Sequence, residues 1–226
     1  MRECSPSAGA LLDELRQLDS CAVSDALDLL GHSGAALGLA PLWPCGDVVV
    51  GRARTVQAAP RCPDSPGTHI ASPVVANARP QDVVVIANGG REDVSCWGGL
   101  LATAAVRRRV AGVVIDGACR DISDSARLSL PIYGRQVVPV SARGRIVQIA
   151  MDEPVTIAGV QVARDDYVIA DASGVVFVPA ARAAEVIALG ARIKEREAQM
   201  EAAVRAGDSI ETVMHDSRFP ALAPDS

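Results

Sequence analysis

An arginine and an aspartate stand side by side after a short apolar run, and together they could hold a small anionic substrate. The run Val110–Ile115 is too short for a helix and almost wholly apolar, which is typical of a strand covered on both faces. Ligands of parallel sheets bind beyond the carboxyl ends of strands, and Arg120 and Asp121 follow that end closely. A guanidinium can bind a carboxylate with two parallel hydrogen bonds, and a carboxylate offers hard oxygen to Mg²⁺ or Mn²⁺. The pair therefore predicts an anion anchor beside a metal ligand.

Two glycines upstream predict a second anion-binding group. Gly98 and Gly99 precede the segment LLATAAVRRR, whose apolar residues recur at helical spacing, so the glycines should lie at the start of a helix. Amide N–H groups at a helix N-terminus are unpaired and carry the positive end of the helix dipole. Glycine also allows a ligand to approach the backbone closely. A 2-oxo acid bound between this helix and Arg120 would meet amide donors, an anion anchor and a Lewis acid at once.

Three segments carry a resemblance to a known family. WGGLLATAA, VAGVVIDGACRD and DASGVVFVP resemble the RraA-like family, and the resemblance extends from Ser24 to Glu197. That family includes divalent-metal-dependent 4-hydroxy-4-methyl-2-oxoglutarate aldolases, which also decarboxylate oxaloacetate, and non-catalytic regulators of ribonuclease E. The resemblance implies an α/β fold, namely a three-layer β/β/α swivelling-type domain. The helical pattern over 180–205 adds a long C-terminal helix.

The resemblance also implies roles for individual residues. Arg120 would bind the pyruvate portion of the substrate, and Asp121 would serve the divalent metal, Mg²⁺ or Mn²⁺. The substrate carboxylate would be held by the backbone at the helix start, which comprises Gly98, Gly99, Leu100 and Leu101. The sequence departs from the aldolase pattern at Gly99, where the aldolases have an acidic residue that orders metal-bound water. This departure leaves the anion site in place and makes the exact reaction an open question.

Members of the family place the site between the subunits of a homotrimer or of a dimer of trimers, a homohexamer. A glutamate from the neighbouring subunit's C-terminal helix then lies near the metal. In this sequence the candidates are Glu195 and Glu197. A solvated charged helix face is the alternative interpretation of either glutamate.

The chemistry that these residues favour is metal-assisted cleavage of a carbon–carbon bond in a 2-oxo acid. Retro-aldol cleavage and oxaloacetate decarboxylation both release a pyruvate enolate, which Arg120 and the metal would stabilise. The single lysine, Lys194, lies in the charged helix away from the motif, which disfavours a covalent imine and favours a class II, metal-dependent aldolase or decarboxylase. Two alternatives stay open: a non-catalytic binding or regulatory protein, and an enzyme of the same fold with another carboxylic acid substrate.

Composition excludes several other classes of protein. The 226 residues are 49% hydrophobic without an apolar run of the roughly 20 residues that a membrane helix needs, so no membrane partner is expected. A net charge of −5 and an aromatic content of 3% give no basic patch and no stacking platform for nucleic acid. Six scattered cysteines without a CxxC pair predict reduced thiols in a cytoplasmic protein. We expect an N-terminal extension with a short helix over 1–20, the β/β/α domain over 21–180, and the C-terminal helix and tail over 181–226.

Local patterns predict where the other elements lie. Ser24-Asp25 should cap a short helix that stops at Gly31, and Asp25 is interpreted as a cap rather than a site residue. A strand over 83–87 should end in a glycine turn at Gly89-Gly90 and lead, through the Gly98–Gly99 helix, into the next parallel strand. His69, in a loop rich in proline, could line the site, although exposure to solvent or a position at a helix end is the favoured interpretation.

Overall fold

The computed structural model describes residues 7–65, 67–215, 218–219 and 222. The helices are α1 (Ala8–Leu15), α2 (Ser20–Leu29), α3 (Ser72–Ala76), α4 (Gly99–Arg107), α5 (Ile122–Arg127), α6 (Ala183–Arg205) and α7 (Ile210–Val213). The strands are β1 (Ala40–Pro41), β2 (Val49–Pro60), β3 (Asp82–Ser95), β4 (Gly112–Cys119), β5 (Ile132–Gly134), β6 (Gln136–Val137), β7 (Ile146–Met151), β8 (Val155–Ile157), β9 (Val160–Val162), β10 (Tyr167–Asp171) and β11 (Gly174–Val178). Within those ranges, no helix has the length and apolar character that crossing a membrane requires.

One mixed sheet organises the chain. Its strands run in the order β1-β5-β4-β3-β2-β10-β11, with β6 beside β4 and β7 beside β2. Strands β2, β3, β4 and β5 are parallel to one another. Strands β7 and β10 pair antiparallel with β2, β11 pairs antiparallel with β10, and β1 pairs antiparallel with β5. Each parallel pair is joined through a helix, α3, α4 or α5, as the predicted βαβ connection requires. Strands β8 and β9 form a separate antiparallel hairpin.

Buried side chains form three clusters, one on each side of the sheet and one beneath the terminal helices. In β3, Val84 and Ile86 pack with α3 and α4, whereas Val83 and Val85 face the β8–β9 hairpin, as the two-residue period of a strand requires. The cluster that contains Val83 and Val85 also contains Phe177 of β11. The sheet is therefore curved, so that β3 and β11 contribute to the same hydrophobic cluster. The fold thus has a helix layer, the main sheet and a second β layer. These three layers confirm the predicted α/β fold class with a β/β/α architecture.

The long C-terminal helix is also confirmed. Helix α6 has 23 residues and buries Val186, Ile187 and Ile193 against α1 and α2. It begins at Ala183 rather than at residue 180 because Ala180–Arg182 form a 3₁₀ turn. The division of the chain into segments 1–20, 21–180 and 181–226 stays a prediction.

Two local predictions are corrected. Helix α2 begins at Ser20, where the Asp19 carboxylate accepts a hydrogen bond from Ala22 N at 2.8 Å, so Asp25 lies within the helix and does not cap it. The predicted stop at Gly31 is confirmed, since this residue has a φ of +73°. Strand β3 does not end before Gly89-Gly90, because both glycines adopt positive φ and the strand continues to Ser95 with shifts in its register to β4. The expected turn is therefore an irregularity inside a long strand.

Candidate active site

The predicted glycine-rich helix start is confirmed. Gly98 precedes α4 in an extended conformation and provides no side-chain cap. The N–H of Gly99 donates to Asp121 Oδ2 at 3.0 Å. Among the residues that the structure describes, the next two amides, of Leu100 and Leu101, have no acceptor, as expected in the first turn of a helix. Two donors at the positive end of α4 are therefore available to an anion.

The end of β4 brings Arg120 and Asp121 to this helix start. The N–H of Arg120 donates to Trp97 O at 3.1 Å, which ties the end of the strand to the residue before Gly98. Asp121 then adopts the left-handed conformation, with a φ of 55°, at the N-cap of α5. Arg120 Nε lies 3.3 Å from Asp121 Oδ2, and both side chains are 40% exposed. The two charged groups thus face the helix start and remain accessible.

The two glycines leave space that neighbouring carboxylates fill. A Cβ atom at position 98 would lie 2.8 Å from Asp121 Oδ2 and 3.2 Å from Arg120 Nε. A Cβ atom at position 99 would overlap with Asp124 Oδ2. The aldolases' acidic residue at position 99 is thus absent, and the carboxylate of Asp124 lies where such a side chain would begin. Sequence reasoning missed Asp124, although its position three residues after Asp121 in a helix places both on one face.

These groups surround a cavity of about 750 Å³. The six residues predicted from this chain's own motif all line it: Gly98, Gly99, Leu100, Leu101, Arg120 and Asp121. A volume of this order suits a small molecule. The structure therefore brings the predicted arginine, carboxylate and helix amides together around one space.

Further charged residues line the cavity that the sequence did not single out. They are Arg108, just after α4, and Arg143, in the loop before β7. Neither forms an ion pair with an acidic side chain in the described part of the chain. The run of three arginines at 107–109 was the one available signal for Arg108. With Arg120, the cavity has three guanidinium groups and one carboxylate, Asp121, so its wall is positive in a chain of net charge −5.

His69 also lines the cavity. Its side chain is exposed and its carbonyl accepts a hydrogen bond from Ser72 Oγ at 3.1 Å, immediately before α3. The favoured sequence interpretation, exposure near a helix end, is therefore correct, and the alternative, that His69 lines the site, stays a prediction.

The two candidate glutamates lie elsewhere in the chain. Glu195 and Glu197 are on α6, which packs on α1 and α2, and neither lines the cavity. Glu197 Oε2 lies 3.4 Å from Lys194 Nζ, which itself donates to Asp19 Oδ2 at 2.7 Å. A single chain therefore does not bring either glutamate to Asp121, and their role from a neighbouring subunit stays a prediction.

The oxygen donors at the cavity suit a cation that keeps much of its water. Among the described residues, no three His, Cys, Asp or Glu side chains are grouped to hold a metal ion. The chain provides one carboxylate on the cavity wall, Asp121, with Asp124 next to it across Gly99. Mg²⁺ is commonly bound by one or two carboxylates together with waters and substrate oxygens. The donor set fits Mg²⁺ or Mn²⁺ held in that manner and does not fit a closed protein cage.

Thiol chemistry is disfavoured at this site. Cys96 lines the cavity, and burial raises its pKa to about 12. Burial raises the pKa of nearby Cys119 to about 12 as well. Because the thiolate is the reactive form, neither cysteine is a nucleophile near neutral pH.

Comparisons with known proteins show which family this chain is similar to. A family model described as RraA-like, Aldolase/RraA, matches residues 20–177. A protein of Halalkalibacterium halodurans, provisionally named as a 4-hydroxy-4-methyl-2-oxoglutarate aldolase, is 32% identical over 86% of this chain and 87% of its own length. The protein DlpA of Legionella pneumophila is 31% identical over 91% of this chain, which spans only 33% of that longer protein.

Solved structures share the fold. An uncharacterized protein of Pseudomonas syringae pv. tomato superimposes with a TM-score of 0.85 and 32% identity, over 94% of this chain and 96% of the other. Streptomyces coelicolor RraAS2, described as an unusual member of the RNase ES inhibitor RraA protein family, gives a TM-score of 0.77 at 27% identity, over 88% and 98% of the two chains. The sequence motifs, the β/β/α architecture and the family match lead to one conclusion: the chain belongs to the RraA-like family.

Proposed function

We propose that the chain is a divalent-metal-dependent carbon–carbon lyase that acts on a 2-oxo acid. The reaction is retro-aldol cleavage of a 4-hydroxy-2-oxo acid, decarboxylation of oxaloacetate, or both, through a pyruvate enolate. The observation that carries the proposal is the shared cavity wall, on which Arg120, Asp121 and the unpaired amides of α4 converge. The provisional aldolase name of the Halalkalibacterium relative supports the same class of reaction.

In this mechanism, Arg120 and the start of α4 bind the substrate. The N–H groups of Leu100 and Leu101 donate hydrogen bonds to the substrate carboxylate at the positive end of the helix. The Arg120 guanidinium binds the 2-oxo oxygen and gains in interaction energy as negative charge develops there. The hydrogen bond from Arg120 N to Trp97 O keeps this side chain next to the amides. Binding is therefore strongest when the enolate forms, which is the requirement for catalysis.

Asp121 is the residue that would hold the cation. A bound Mg²⁺ or Mn²⁺ would act as a Lewis acid on the 2-oxo group. Asp121 itself is fixed by the hydrogen bond from Gly99 N and by Arg120, so its carboxylate is oriented before any ligand arrives. Arg120 and Asp121 are thus the two catalytic residues of the proposal.

A covalent imine mechanism is disfavoured by the position of the only lysine. Lys194 lies on α6 and is hydrogen-bonded to Asp19. That hydrogen bond raises the pKa of Lys194, whereas imine formation needs a lysine whose pKa is lowered. The chain therefore offers no amine for the class I route.

The proposed assembly is a cytoplasmic homotrimer or dimer of trimers, in which Glu197 or Glu195 of one subunit approaches the metal of the next. The side chain of Leu100 supports such packing of a neighbouring subunit against the cavity, because this apolar side chain is 86% exposed at the cavity wall. Small-molecule 2-oxo acids are the expected partners, with neither nucleic acid nor membrane.

The test is release of pyruvate from oxaloacetate and from 4-hydroxy-2-oxo acids. We expect turnover with Mg²⁺ or Mn²⁺, loss of turnover in EDTA, and recovery when the metal is returned. An Asp121→Ala variant should lose metal-dependent turnover while it stays folded. Absence of pyruvate from every substrate in the presence of metal would contradict the proposal.

A non-catalytic binding role is the second candidate, and Gly99 is the observation that favours it, because the aldolases' acidic residue is missing there. RraAS2, a relative with the same fold, is described as belonging to a ribonuclease inhibitor family. The Asp121→Ala variant separates the two candidates, since a binding role would survive this change.

A further inference from the structure

The hydrogen bond made by His69 defines which ring nitrogen is free. His69 Nδ1 lies 2.9 Å from the carbonyl oxygen of Ile70. A carbonyl oxygen can only accept, so Nδ1 carries the hydrogen of this bond. In the neutral ring, Nε2 is then the unprotonated nitrogen. His69 therefore offers a basic nitrogen on the wall of the cavity that contains Arg120 and Asp121.

The backbone around His69 is held in place from three directions. Ser72 donates to His69 O from both its N–H, at 3.4 Å, and its Oγ, at 3.1 Å. Ile70 is buried in the core beneath α3 and α4. Ala71, in the left-handed conformation with a φ of 61°, donates its N–H to the buried Gln148 Oε1 at 3.0 Å. The imidazole is thus carried by an ordered segment, as a group that acts in catalysis must be.

The other titratable side chains that line the cavity are poorly suited to act as the base. Arg108, Arg120 and Arg143 have no acceptor atom and stay protonated. The Asp121 carboxylate accepts from Gly99 N and faces Arg120, and in the proposed function it holds the cation. Burial keeps the Cys96 thiol protonated. An imidazole is the side chain best suited to take up a proton near neutral pH.

We propose that His69 is the general base for cleavage of a 4-hydroxy-2-oxo acid, an inference that rests on the proposed lyase function. His69 Nε2 removes the proton of the C4 hydroxyl, whose oxygen becomes a carbonyl. The C3–C4 bond breaks, and its electron pair moves to C3 and the 2-oxo group to form the enolate. A proton from water is added at C3 to give pyruvate, and the imidazolium returns its proton to solvent.

A general base is needed for only one of the two reactions that form the enolate. Decarboxylation of oxaloacetate breaks the C3–C4 bond with loss of CO₂, and no hydroxyl proton is removed. The substrate contacts of Arg120 and the amides are common to both reactions. Removal of His69 should therefore slow aldol cleavage and leave decarboxylation almost unchanged.

The experiment compares wild type, His69→Ala and His32→Ala with metal present, on oxaloacetate and on a 4-hydroxy-2-oxo acid. His32 is an exposed histidine that does not line the cavity, so its variant is the matched control. For His69→Ala we expect kcat for cleavage to fall by about 100-fold or more, and kcat for decarboxylation to change by less than about threefold. Added imidazole should restore part of the cleavage, which a purely structural defect would not allow.

The other possible results distinguish failure of the role proposed for His69 from failure of the lyase proposal. Equal losses in both reactions, or no loss of cleavage, would overturn the role of His69 and leave the lyase proposal intact. A wild-type protein that decarboxylates oxaloacetate but cleaves no hydroxy acid would do the same. A wild-type protein inactive on both substrates would overturn the lyase proposal and, with it, this inference.

Discussion

Two groups of arginine and aspartate in this chain use the same chemistry for opposite purposes. Arg54 donates to both oxygens of Asp152, at 2.7 and 2.8 Å, and to Asp82 Oδ2 at 3.2 Å. The exposed fractions of these three side chains are 6%, 13% and 2%. Arg120 makes one longer contact, at 3.3 Å, with an Asp121 side chain that is 40% exposed, as its own is.

The two arginines differ in how many of their hydrogen-bond donors have a partner within the protein. Arg54 also donates to Asn77 O, so its guanidinium connects β2 to the loop after β7 and to the segment before β3. Its hydrogen bonds and the charge of Asp152 raise its pKa further above the usual range. Arg120 keeps donors free towards the cavity. The buried group stabilises the fold, and the open group is available to a ligand.

The largest expected effect is on stability, from Arg54→Met. Removal of the guanidinium takes the main cationic partner from two largely buried carboxylates, leaving Asp82 with the N–H of Arg79 and Asp152 with Arg164. Loss of one member of such a buried group typically costs about 3–5 kcal/mol. Urea denaturation should show this loss in the free energy of unfolding. Arg52→Met, two residues earlier in β2, is the control, since its pair with Asp165 is long, at 3.7 Å, and partly exposed, at 27% and 42%, and a pair near the surface is worth only about 0–1 kcal/mol. Similar losses in both variants would contradict the assignment.

The same substitution at Arg120 should change activity instead. Arg120→Met is expected to lower kcat/KM for pyruvate release by about 100-fold to 1,000-fold, because the donor to the developing oxyanion is lost. Its free energy of unfolding should change by less than about 1 kcal/mol, as expected for an exposed pair. Steady-state kinetics and denaturation on the same preparation measure both. A protein as unstable as Arg54→Met would show that Arg120 is structural.

Substitution of alanine for each glycine at the start of α4 tests how closely the neighbouring carboxylates are positioned. The expected effects on turnover are smaller than that of Arg120→Met. Gly98→Ala should displace the Asp121 carboxylate, which lies 2.8 Å from the new Cβ, and lower turnover by about 10-fold or more. Gly99→Ala meets Asp124, whose exposed side chain can move, so turnover should change by less than about threefold. Kinetic assays of both variants provide the measurement. The reverse order of effects would mean that Asp124, and not Asp121, is the carboxylate that matters.

The smallest effect concerns thiol reactivity. Cys21 and Cys62 are exposed and should react with a disulfide reagent at pH 8 within minutes. Cys96 and Cys119 should react only when the protein opens, because burial raises the pKa of each to about 12 and leaves almost no thiolate at pH 8. Arg54→Met should accelerate this slow phase, and Arg120→Met should not. Equal slow rates in the two variants would contradict the proposed division between fold and site.

The sequence predicted the parts of the site that depend on local pattern. The helix start at Gly98–Gly99 follows from glycine and helical spacing, and the position of Arg120 follows from the end of an apolar strand. The α/β class and the long C-terminal helix followed from the resemblance and from the helical pattern over 180–205. These features could be predicted without knowing which residues far apart in the chain are in contact.

The remaining features depend on contacts between segments far apart in the chain. Asp124 meets Gly99 only because α5 packs beside α4, and Ala71 meets Gln148 only because the residue before α3 lies next to β7. The interpretation of Asp25 as a cap was wrong because Asp19, also followed by helical residues, offers the same capping chemistry earlier. Continuation of β3 through Gly89-Gly90 was missed because two glycines with positive φ are as typical of a turn as of a bulge.

The central claim is that the amides of α4, Arg120 and Asp121 form one binding site for a 2-oxo acid and a divalent cation. A crystal structure with Mn²⁺ and oxalate, a stable analogue of the pyruvate enolate, tests it most directly. We expect an anomalous manganese peak beside the Asp121 carboxylate, with oxalate bound to Arg120 and to the amides of Leu100 and Leu101. Manganese and oxalate bound elsewhere, or a cavity that stays empty at saturating concentrations of both, would contradict it.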